Sequence, residues 1–316
     1  MGLFSKSKQN AENIAICLGH DGLYCAIVQH DSALKPILRY LSFFPGTEAN
    51  HTTLLERLMR EAPVKGKPVS MLLKQGEYQI LAIEALNVPE TELRSAVKWR
   101  VKDMLDFPVG EATVDVLKIP GDPAAGGRNQ SSMVVVAKNQ IIKKLQTDVM
   151  AAKLKLTVID IPEMAQRNIS AKLETPGRGL AMLSFDANGG LLTLSFGGEL
   201  YLSRRIDINL EQLRNPDKEA QNYVFERVSL ELQRSLDHFE RQHNYITNTK
   251  LLLAPMGDVT PALQSFLSTN LYLPIETFDL SNVIDLGQIP EMKSSDQQQK
   301  FFDIIGAAMR VEARPA

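Results

Sequence analysis

Residues 16–28 read ICLGHDGLYCAIV, in which two apolar runs flank the four-residue turn GHDG. Glycine and aspartate tolerate the backbone angles that a tight turn needs. The pattern therefore predicts a β-hairpin with strands at 13–18 and 23–29, followed by a third strand at 35–43. Such a turn either binds phosphate through its backbone N–H groups or only reverses the chain.

The same pattern recurs in the second half of the chain. Residues 180–206 read LAMLSFDANGGLLTLSFGGELYLSRRI, which is again strand, Gly-rich turn, strand, turn and strand. The turn-rich segment LETPGRG at 173–179 separates the two copies. This internal duplication predicts two similar α/β halves that face each other across a cleft between their Gly-rich turns.

Apolar periodicity assigns the remaining segments to helices and strands. We predict helices at 50–61, 90–105, 139–153, 162–173, 218–243, 260–269 and 299–311. Further strands are predicted at 69–74, 78–86, 113–119, 132–138, 156–161, 250–255 and 274–279. The Gly-, Pro- and Ala-rich segment 120–131 is predicted to be a flexible loop.

Composition places the chain among ordinary globular proteins. Its 316 residues predict about two domains, and it contains 44% hydrophobic and 23% charged residues. The net charge of −2 favours neither nucleic acid nor an anionic membrane as the main partner. The two cysteines do not predict a disulfide framework, and no apolar run reaches the ~18 residues that a membrane span needs. We therefore expect a cytoplasmic protein.

The first ten residues, MGLFSKSKQN, lack the apolar core of a signal peptide, and Lys6 departs from the myristoylation pattern. Leu3 and Phe4 beside Lys6 and Lys8 could touch a membrane weakly, but a frayed polar tail is the expectation.

Five segments resemble, in their order along the chain, motifs of the PilM-like proteins of type IV pilus assembly, which have the actin-like ATPase fold. The segments are ALNVPETELRSAVKWRVKDMLDFPVG (85–110), MVVVAKNQIIKKL (133–145), TVIDIPEMA (157–165), LQRSLDHFERQ (232–242) and FFDIIGAAMR (301–310). The resemblance covers nearly the whole chain. Within the family, the chain is most similar to the proteins of the mannose-sensitive haemagglutinin (MSHA) pilus.

The resemblance implies an α/β, actin-like fold with duplicated ribonuclease-H-like halves. Residues 13–80 and 156–175 would form the first half, and 178–316 the second. Residues 81–155 would form an inserted β-α-β-β-α subdomain in the first half. In the family, a groove beside this subdomain holds the cytoplasmic N-terminal tail of a PilN-like bitopic inner-membrane protein. The groove would lie near residues 80–110 and 133–155 here.

The resemblance also implies a nucleotide cleft for ATP with Mg²⁺, built from three Gly-rich turns. Glycine lets backbone N–H groups approach phosphate oxygens, and Mg²⁺ is held by an aspartate through water. The residues at the matching positions are Gly19, His20, Asp21, Asp160, Asp186, Asn188, Gly189, Gly190 and Gly257. Glu163 also matches a family glutamate near the cleft.

The three turns depart from the family pattern to different degrees. In the first, Cys17 replaces the acidic residue and His20 replaces a small hydroxyl residue. The second turn is kept, whereas the third, APMGD, retains Gly257 alone. We therefore expect a degenerate ATPase with no catalytic residues. Tight-turn geometry by itself would also retain these glycines.

Trp99 falls opposite the apolar stripe of the predicted helix 90–105. An aromatic residue in this position either packs under a neighbouring subdomain or contacts a partner. The basic residues of the same helix would either be solvated or attract an acidic partner or a lipid surface. The candidate partner-binding residues are Trp99, Arg94, Lys98 and Lys102.

The remaining cysteines and histidines are expected to be structural. Cys17, His20 and Cys25 are metal-ligand types, but a fourth ligand is not evident, so buried thiols are the expectation and no metal site is predicted. His238 and His243, near the end of the long helix, lack a nucleophile and an orienting acid and are expected at the surface.

Two classes of function follow. The first is a scaffold at the inner face of the inner membrane, peripheral to it, which binds the PilN-like tail and contacts the pilus assembly ATPase. The second is an ATP-dependent switch in pilus assembly. A third reading is a type II secretion platform domain of the GspL type, but such proteins usually continue into a membrane span and this sequence has none up to Ala316.

Overall fold

The computed structural model describes residues 11–30, 35–122 and 131–311. These contain thirteen strands and eight α-helices. The strands are β1 (Ala11–Leu18), β2 (Gly22–His30), β3 (Ile37–Pro45), β4 (Pro68–Leu72), β5 (Tyr78–Glu84), β6 (Ala112–Ile119), β7 (Ser131–Lys138), β8 (Lys155–Asp160), β9 (Gly179–Phe185), β10 (Gly190–Phe196), β11 (Glu199–Ile206), β12 (Asn248–Leu253) and β13 (Ile275–Thr277). The helices are α1 (His51–Glu61), α2 (Glu90–Val101), α3 (Asn139–Ala151), α4 (Pro162–Ser170), α5 (Leu210–Leu213), α6 (Lys218–Gln242), α7 (Thr260–Asn270) and α8 (Ser295–Ala308).

Two five-stranded sheets repeat the same topology. The first has the order β3-β2-β1-β4-β8, and the second has the order β11-β10-β9-β12-β13. In each, the first three strands form an antiparallel meander and the last two are parallel to the central strand. The duplication predicted from residues 16–28 and 180–206 is therefore confirmed.

A third sheet, with the order β5-β7-β6, is inserted between β4 and β8 along the chain. One of its faces packs under α2, where Leu93, Val97 and Val101 meet the buried side chains of the sheet. Its other face contributes Ile119 and Met133 to the core of the second half. The inserted sheet is therefore connected to the first half through the chain and packs against the second half through Ile119 and Met133.

The contacts of two elements bear on the limits of the inserted subdomain. Its first strand begins at Tyr78, inside the range assigned to the first half. The buried residue of α3, Val149, joins the core beneath the first sheet with Ile14 and Leu58. We accordingly propose 78–138 as the inserted unit, because α3 packs with the first half.

Helices α4 and α8 join the two halves. Phe302 and Ile305 of α8 share one core with Ala15 of β1 and Met182 of β9. Gly306 allows close approach, since a Cβ there would lie 2.5 Å from the carbonyl oxygen of Ala165 in α4. The C-terminal helix thus crosses from the second half onto the first sheet.

Helix limits differ from the prediction in several places. Helix α2 ends at Val101 because residues 102–104 tighten into a 3₁₀ turn, after which Leu105 is extended. Helix α4 ends at Ser170, three residues early. Helix α8 begins at Ser295, with Asp296 in its first turn, where a carboxylate complements the helix dipole. Periodicity misses α5 because a single turn has no period.

Two predictions lie partly or wholly outside the described residues. These are the frayed tail at 1–10 and residues 123–130 of the predicted loop 120–131. Within the described ranges, none of the helices combines the length and the apolar character that crossing a bilayer requires.

Candidate functional site

A cleft of about 1160 Å³ lies between the two halves, at the turns that follow β1 and β9. Its lining includes six of the nine residues predicted for the nucleotide site: Gly19, His20, Asp21, Asp186, Asn188 and Gly189. Asp160, Gly190 and Gly257 are outside the lining. The structure therefore brings the first two turns together across the cleft, as the duplication predicts.

The first turn is closed on itself. The N–H of Gly19 donates to the carbonyl oxygen of Gly22 at 2.7 Å. The Asp21 carboxylate accepts a hydrogen bond from the Tyr24 hydroxyl at 2.6 Å. A Cβ on Gly19 would lie 2.9 Å from Asp21 Oδ1, so this carboxylate lies directly against the turn. The turn thus presents negative charge and has already used the N–H of Gly19.

His20 is held at the rim of the cleft by a small charged cluster. Its Nδ1 lies 3.2 Å from a Glu48 carboxylate oxygen, and the same oxygen accepts a hydrogen bond from Lys74. The Lys74 ammonium, through its hydrogen bond and its charge, lowers the pKa of Glu48. The His20 imidazole is therefore paired with the Glu48 carboxylate.

The second turn is also satisfied internally. Asp186 Oδ1 accepts hydrogen bonds from the N–H groups of Asn188 at 2.7 Å and Gly189 at 2.9 Å. These are the donors that a phosphate would need in a turn of this type. Gly189 has a φ of 151°, and a Cβ there would lie 2.9 Å from the carbonyl oxygen of Ile206. Close strand approach accounts for this glycine without a ligand.

An ion pair covers the third turn. Arg214 Nη2 lies 2.7 Å from Asp296 Oδ1 and donates to the carbonyl oxygen of Met256 at 2.9 Å. A Cβ on Gly257 would lie 2.1 Å from Asp296 Oδ1, and the N–H of Gly257 donates to Ser295 Oγ. Arg214 Nε also lies 3.2 Å from Asp258. Side chains of this protein therefore occupy the space next to the turn.

Asp303 and Arg205 lie deeper in the cleft. Burial raises the pKa of Asp303 to about 7, and the charges of Asp186 and Glu163 act in the same direction while Arg205 opposes them. Arg205 Nη2 lies 2.8 Å from Glu163 Oε1 in α4 and donates to the Tyr78 hydroxyl at 2.7 Å. Tyr78 in turn donates to Glu163 Oε2.

This cluster of Tyr78, Glu163 and Arg205 links the inserted sheet and the second sheet to helix α4, because its members come from β5, β11 and α4. Glu163 is fully buried, so its charge depends on Arg205 for compensation.

The remaining predicted cleft residues have structural partners. Asp160 pairs with Arg310 at 3.0 Å and accepts the N–H of Ile161 at 2.9 Å. Gly190 begins β10, where a Cβ would lie 2.5 Å from the Phe185 ring. Asp160 is therefore compensated by Arg310, and Gly190 allows close packing of the Phe185 ring.

The two thiols do not converge. Cys25 is paired with Ile16 and Cys17 with Tyr24 along the β1–β2 hairpin, so the thiols project from opposite faces of the sheet. Burial raises the pKa of each to about 12, which keeps both protonated. Within residues 11–30, 35–122 and 131–311, His, Cys, Asp and Glu side chains form no group of three that could hold a metal ion.

His243 differs from its prediction as a surface residue. Its ring packs against those of Tyr201, Phe239 and Tyr245, with centroids 5.0–6.0 Å away. Burial lowers its pKa, with the charge of His238 acting in the same direction.

The predicted partner residues lie on the outside of α2. Trp99 is 70% exposed, which excludes packing under a neighbouring subdomain. Lys102 Nζ lies 5.9 Å from the centre of its indole ring. Arg94 pairs with Asp115 of β6 at 3.0 Å, and Lys98 is half-buried. Arg94, Trp99 and Lys102 are thus exposed to solvent, and Lys102 lies in the 3₁₀ turn that follows α2.

No protein-family model matches the sequence, and the curated proteins contain no significant match. Among solved structures, the chain is similar to one described as the PilM-PilN type IV pilus biogenesis complex, with 20% identity and a TM-score of 0.71. The match covers 95% of this chain and 97% of the other. The fold is actin-like.

Two weaker similarities to solved structures accompany this one. The cytoplasmic domain of EpsL, an inner-membrane component of the type II secretion system of Vibrio cholerae, matches with 12% identity and a TM-score of 0.48, over 83% of this chain and 97% of that one. A Bacteroides thetaiotaomicron protein with an actin-like ATPase fold and unknown function matches with 12% identity and a TM-score of 0.49, over 93% and 99%.

The actin-like fold implies ATP with Mg²⁺ in the cleft, but the residues present do not fit that ligand. The N–H groups of Gly19, Asn188, Gly189 and Gly257 already donate within the chain. Carboxylates exceed cations in the lining, with Asp21, Asp186, Glu211, Asp258, Asp296 and Asp303 against Lys74, Arg205, Arg214 and Lys300. A triphosphate would have to displace several of these internal contacts.

Sequence reasoning missed Arg205, Arg214 and Asp303, which line the cleft, and Tyr78, which accepts a hydrogen bond from Arg205. The sequence does contain a pattern that could have identified Asp303, because it is the one acidic residue in the apolar run FFDIIGAAM at 301–309. The other three have partners far away along the chain: Tyr78 and Arg205 are 127 positions apart, and Arg214 and Asp296 are 82 positions apart.

Proposed function

We propose that this protein is a cytoplasmic scaffold of a type IV pilus assembly platform, at the inner face of the inner membrane. In this proposal it corresponds to MshI, the PilM-like protein of the MSHA pilus, and holds the N-terminal tail of a PilN-like bitopic membrane protein. The similarity to the PilM-PilN complex carries the proposal. The five motifs between residues 85 and 310 support the PilM-like assignment.

The inserted sheet offers a place for an extended tail. Strand β5 is an outer strand that pairs only with β7 among the described strands. Its backbone groups on the other side are available for strand addition, in which main-chain hydrogen bonds supply affinity and side-chain pockets supply specificity. Tyr78 places the start of β5 next to Glu163 of the first half.

The internal hydrogen bonds of the Gly-rich turns support a function that does not require nucleotide. Because internal contacts already satisfy the turn donors, tail binding would proceed on the structure as it stands. A nucleotide-dependent switch remains the second candidate, since the second turn keeps Asp186, Asn188 and Gly189 in the lining of a large cleft. The pilus assembly ATPase stays a predicted second partner, and the GspL-type reading stays an alternative.

Two calorimetric titrations test the proposal, one with a peptide of the partner's cytoplasmic tail and one with ATP–Mg²⁺. We expect the peptide to bind and ATP–Mg²⁺ not to bind. Amide hydrogen exchange of β5 should slow when the peptide is added, whereas exchange in β13, an outer strand of the second sheet, should be unchanged.

Peptide binding that leaves β5 unprotected would contradict strand addition. ATP binding that is lost in Asp186→Ala and that alters peptide affinity would favour the switch instead. Failure of the peptide to bind would remove the scaffold proposal.

A further inference from the structure

The surface formed by α3 and the two loops beside its end is rich in lysine and nearly free of acid. Residues 62–68 and 143–155 contain six lysines and one acidic residue, Asp148. Five of the six lysines are exposed and one is half-buried. They are Lys65, Lys67, Lys143, Lys144, Lys153 and Lys155, and we call them the lysine surface. Positive charge is thus concentrated locally on a chain whose net charge is −2.

Alternating burial turns these lysines away from the core. Val64, Ala152 and Leu154 share the core beneath the first sheet. Each of them lies next to an exposed lysine along the chain. Pro68 is paired with Lys155 where β4 and β8 run side by side. The two lysine-bearing loops therefore meet at the same end of the first sheet.

Few of these charges are neutralised within the protein. Lys144 pairs with Asp148 at 2.6 Å, and Lys67 pairs with Glu12 of β1 at 2.5 Å. The other four lysines form no ion pair with any residue that the structure describes. The adjacent helix α1 adds no net charge, because its two arginines are matched by two glutamates.

Lys153 occupies a backbone position at which glycine is the usual residue. The N–H of Lys153 donates to the carbonyl oxygen of Met150, and the N–H of Leu154 donates to that of Val149. This hydrogen-bond pattern ends a helix and places the residue after it in the left-handed region. Lys153 has a φ of 59° and is the one non-glycine residue with positive φ in the described ranges. Because this conformation is costly for lysine, the side chain is a candidate for a role outside folding.

Apolar side chains accompany the lysines. Met150, in the last turn of α3, is 73% exposed, and its thioether adapts to irregular apolar surroundings. Residues 1–10, which lie outside the described residues, read MGLFSKSKQN and contain two further lysines and no acid. They join β1 next to Glu12, the ion-pair partner of Lys67. Leu3 and Phe4 are therefore attached to the chain beside the lysine surface.

We propose that the lysine surface, with Met150, is a docking surface for an anionic lipid bilayer. Clusters of four to eight basic residues on or beside a helix are attracted to anionic headgroups. Stable attachment usually needs a second signal besides charge, and the apolar Leu3 and Phe4 supply one.

The chemistry of the lysine surface favours a bilayer over other occupants. Interfaces with proteins depend on aromatic and arginine anchors, and single-stranded nucleic acids stack on aromatic rings. Residues 62–68 and 143–155 contain neither aromatic residues nor arginine. A second copy of the chain would bring like charges together. Lysine, a hydrated point charge on a flexible stem, suits the diffuse charge of lipid headgroups.

Sedimentation of the full-length chain with vesicles tests the proposal. Vesicles of phosphatidylethanolamine with phosphatidylglycerol should sediment the protein, and phosphatidylcholine vesicles should not. Lys65→Glu/Lys155→Glu should lower the partition coefficient at least about twentyfold, since each basic residue contributes about fivefold. Arg241→Glu/Lys293→Glu is the matched control, because it makes the same charge change at two exposed positions of the second half. It should leave binding within about twofold.

Lys153→Gly separates membrane binding from folding. Glycine is favoured at this left-handed position, so the urea midpoint should not fall. The partition coefficient should nevertheless fall about fivefold, because one lysine is lost. A general loss of folding would lower both quantities together.

Four results would overturn the proposal. They are failure to sediment with anionic vesicles, equal losses in the two double variants, unchanged vesicle binding in Lys153→Gly, or tighter binding to polyglutamate or duplex DNA than to vesicles. The inference takes only its location at a membrane from the proposed function. Lys65→Glu/Lys155→Glu should still bind the tail peptide in calorimetry, so failure of the docking surface and failure of the scaffold are distinguishable.

Discussion

Asp303 shows how one residue couples the cleft to pH. It is the acidic member of an otherwise apolar segment of α8, and it faces Asp186, Glu163 and Arg205 rather than water alone. Burial comes first among the causes that raise its pKa from the ordinary value of 3.8 to about 7. Near neutral pH, a proton on Asp303 therefore limits repulsion with Asp186.

The raised pKa predicts a pH-dependent stability. Between pH 4 and 7 the folded state holds a proton that the unfolded state has lost, so the stabilisation is complete below about pH 4 and disappears as pH rises through 7. Asp303→Asn should remove on the order of 1–2 kcal/mol of the difference in unfolding free energy between pH 5 and pH 8.

Urea denaturation at both pH values measures this difference. The exposed Asp106→Asn serves as the control and should keep the wild-type dependence. If Asp303→Asn keeps it too, Asp303 is ionised in the folded protein and this account of the cleft is wrong.

At the scale of elements, the crossing of α4 and α8 depends on Gly306. A methyl group at this position would meet the backbone of Ala165, which cannot rotate away as a side chain could. Gly306→Ala should therefore lower the free energy of unfolding by about 1–3 kcal/mol through overpacking, despite its better helix propensity.

Gly110→Ala is the matched control, because a Cβ there would meet nothing within 4 Å. It should change the urea midpoint little, whereas Gly306→Ala should lower it clearly. An unchanged midpoint in Gly306→Ala would mean that the two helices separate easily, and the halves would then be joined more loosely than the structure indicates.

At the scale of the whole molecule, the cluster of Tyr78, Glu163 and Arg205 is the polar joint between the inserted sheet, the second sheet and helix α4. Arg205→Met leaves the buried Glu163 without its cation, and we expect this to cost about 3–5 kcal/mol of stability. Glu163→Gln/Arg205→Met should cost less than Arg205→Met alone, because a neutral amide can still hydrogen-bond Tyr78.

A double-mutant cycle by urea denaturation measures the coupling between these two residues. Additive losses would show that the charges act independently. In that case the joint would depend on its apolar contacts, such as those of Ile119 and Met133 with the second half.

Much of the fold follows from local pattern. The hairpin at 16–28 and its repeat at 180–206 predict both meanders, because apolar runs and tight-turn residues are short-range properties of the sequence. Positions along α2 also predict correctly that Trp99 lies off the buried face. Element ends were less accurate, since 3₁₀ turns and single-turn helices such as α5 have no periodic signal.

The sequence by itself determined the two repeated halves, their Gly-rich turns and the inserted strands. Apolar runs and turn-forming residues are properties of short segments, so they can be recognised without knowledge of the tertiary structure. Only the tertiary structure decided that the protein's own side chains occupy the hydrogen-bonding groups of the second and third turns. The Asp186 carboxylate could have faced a ligand, but it accepts the turn's N–H groups. Arg214 and Asp296 lie 82 positions apart in the chain, and only folding brings them together over Gly257.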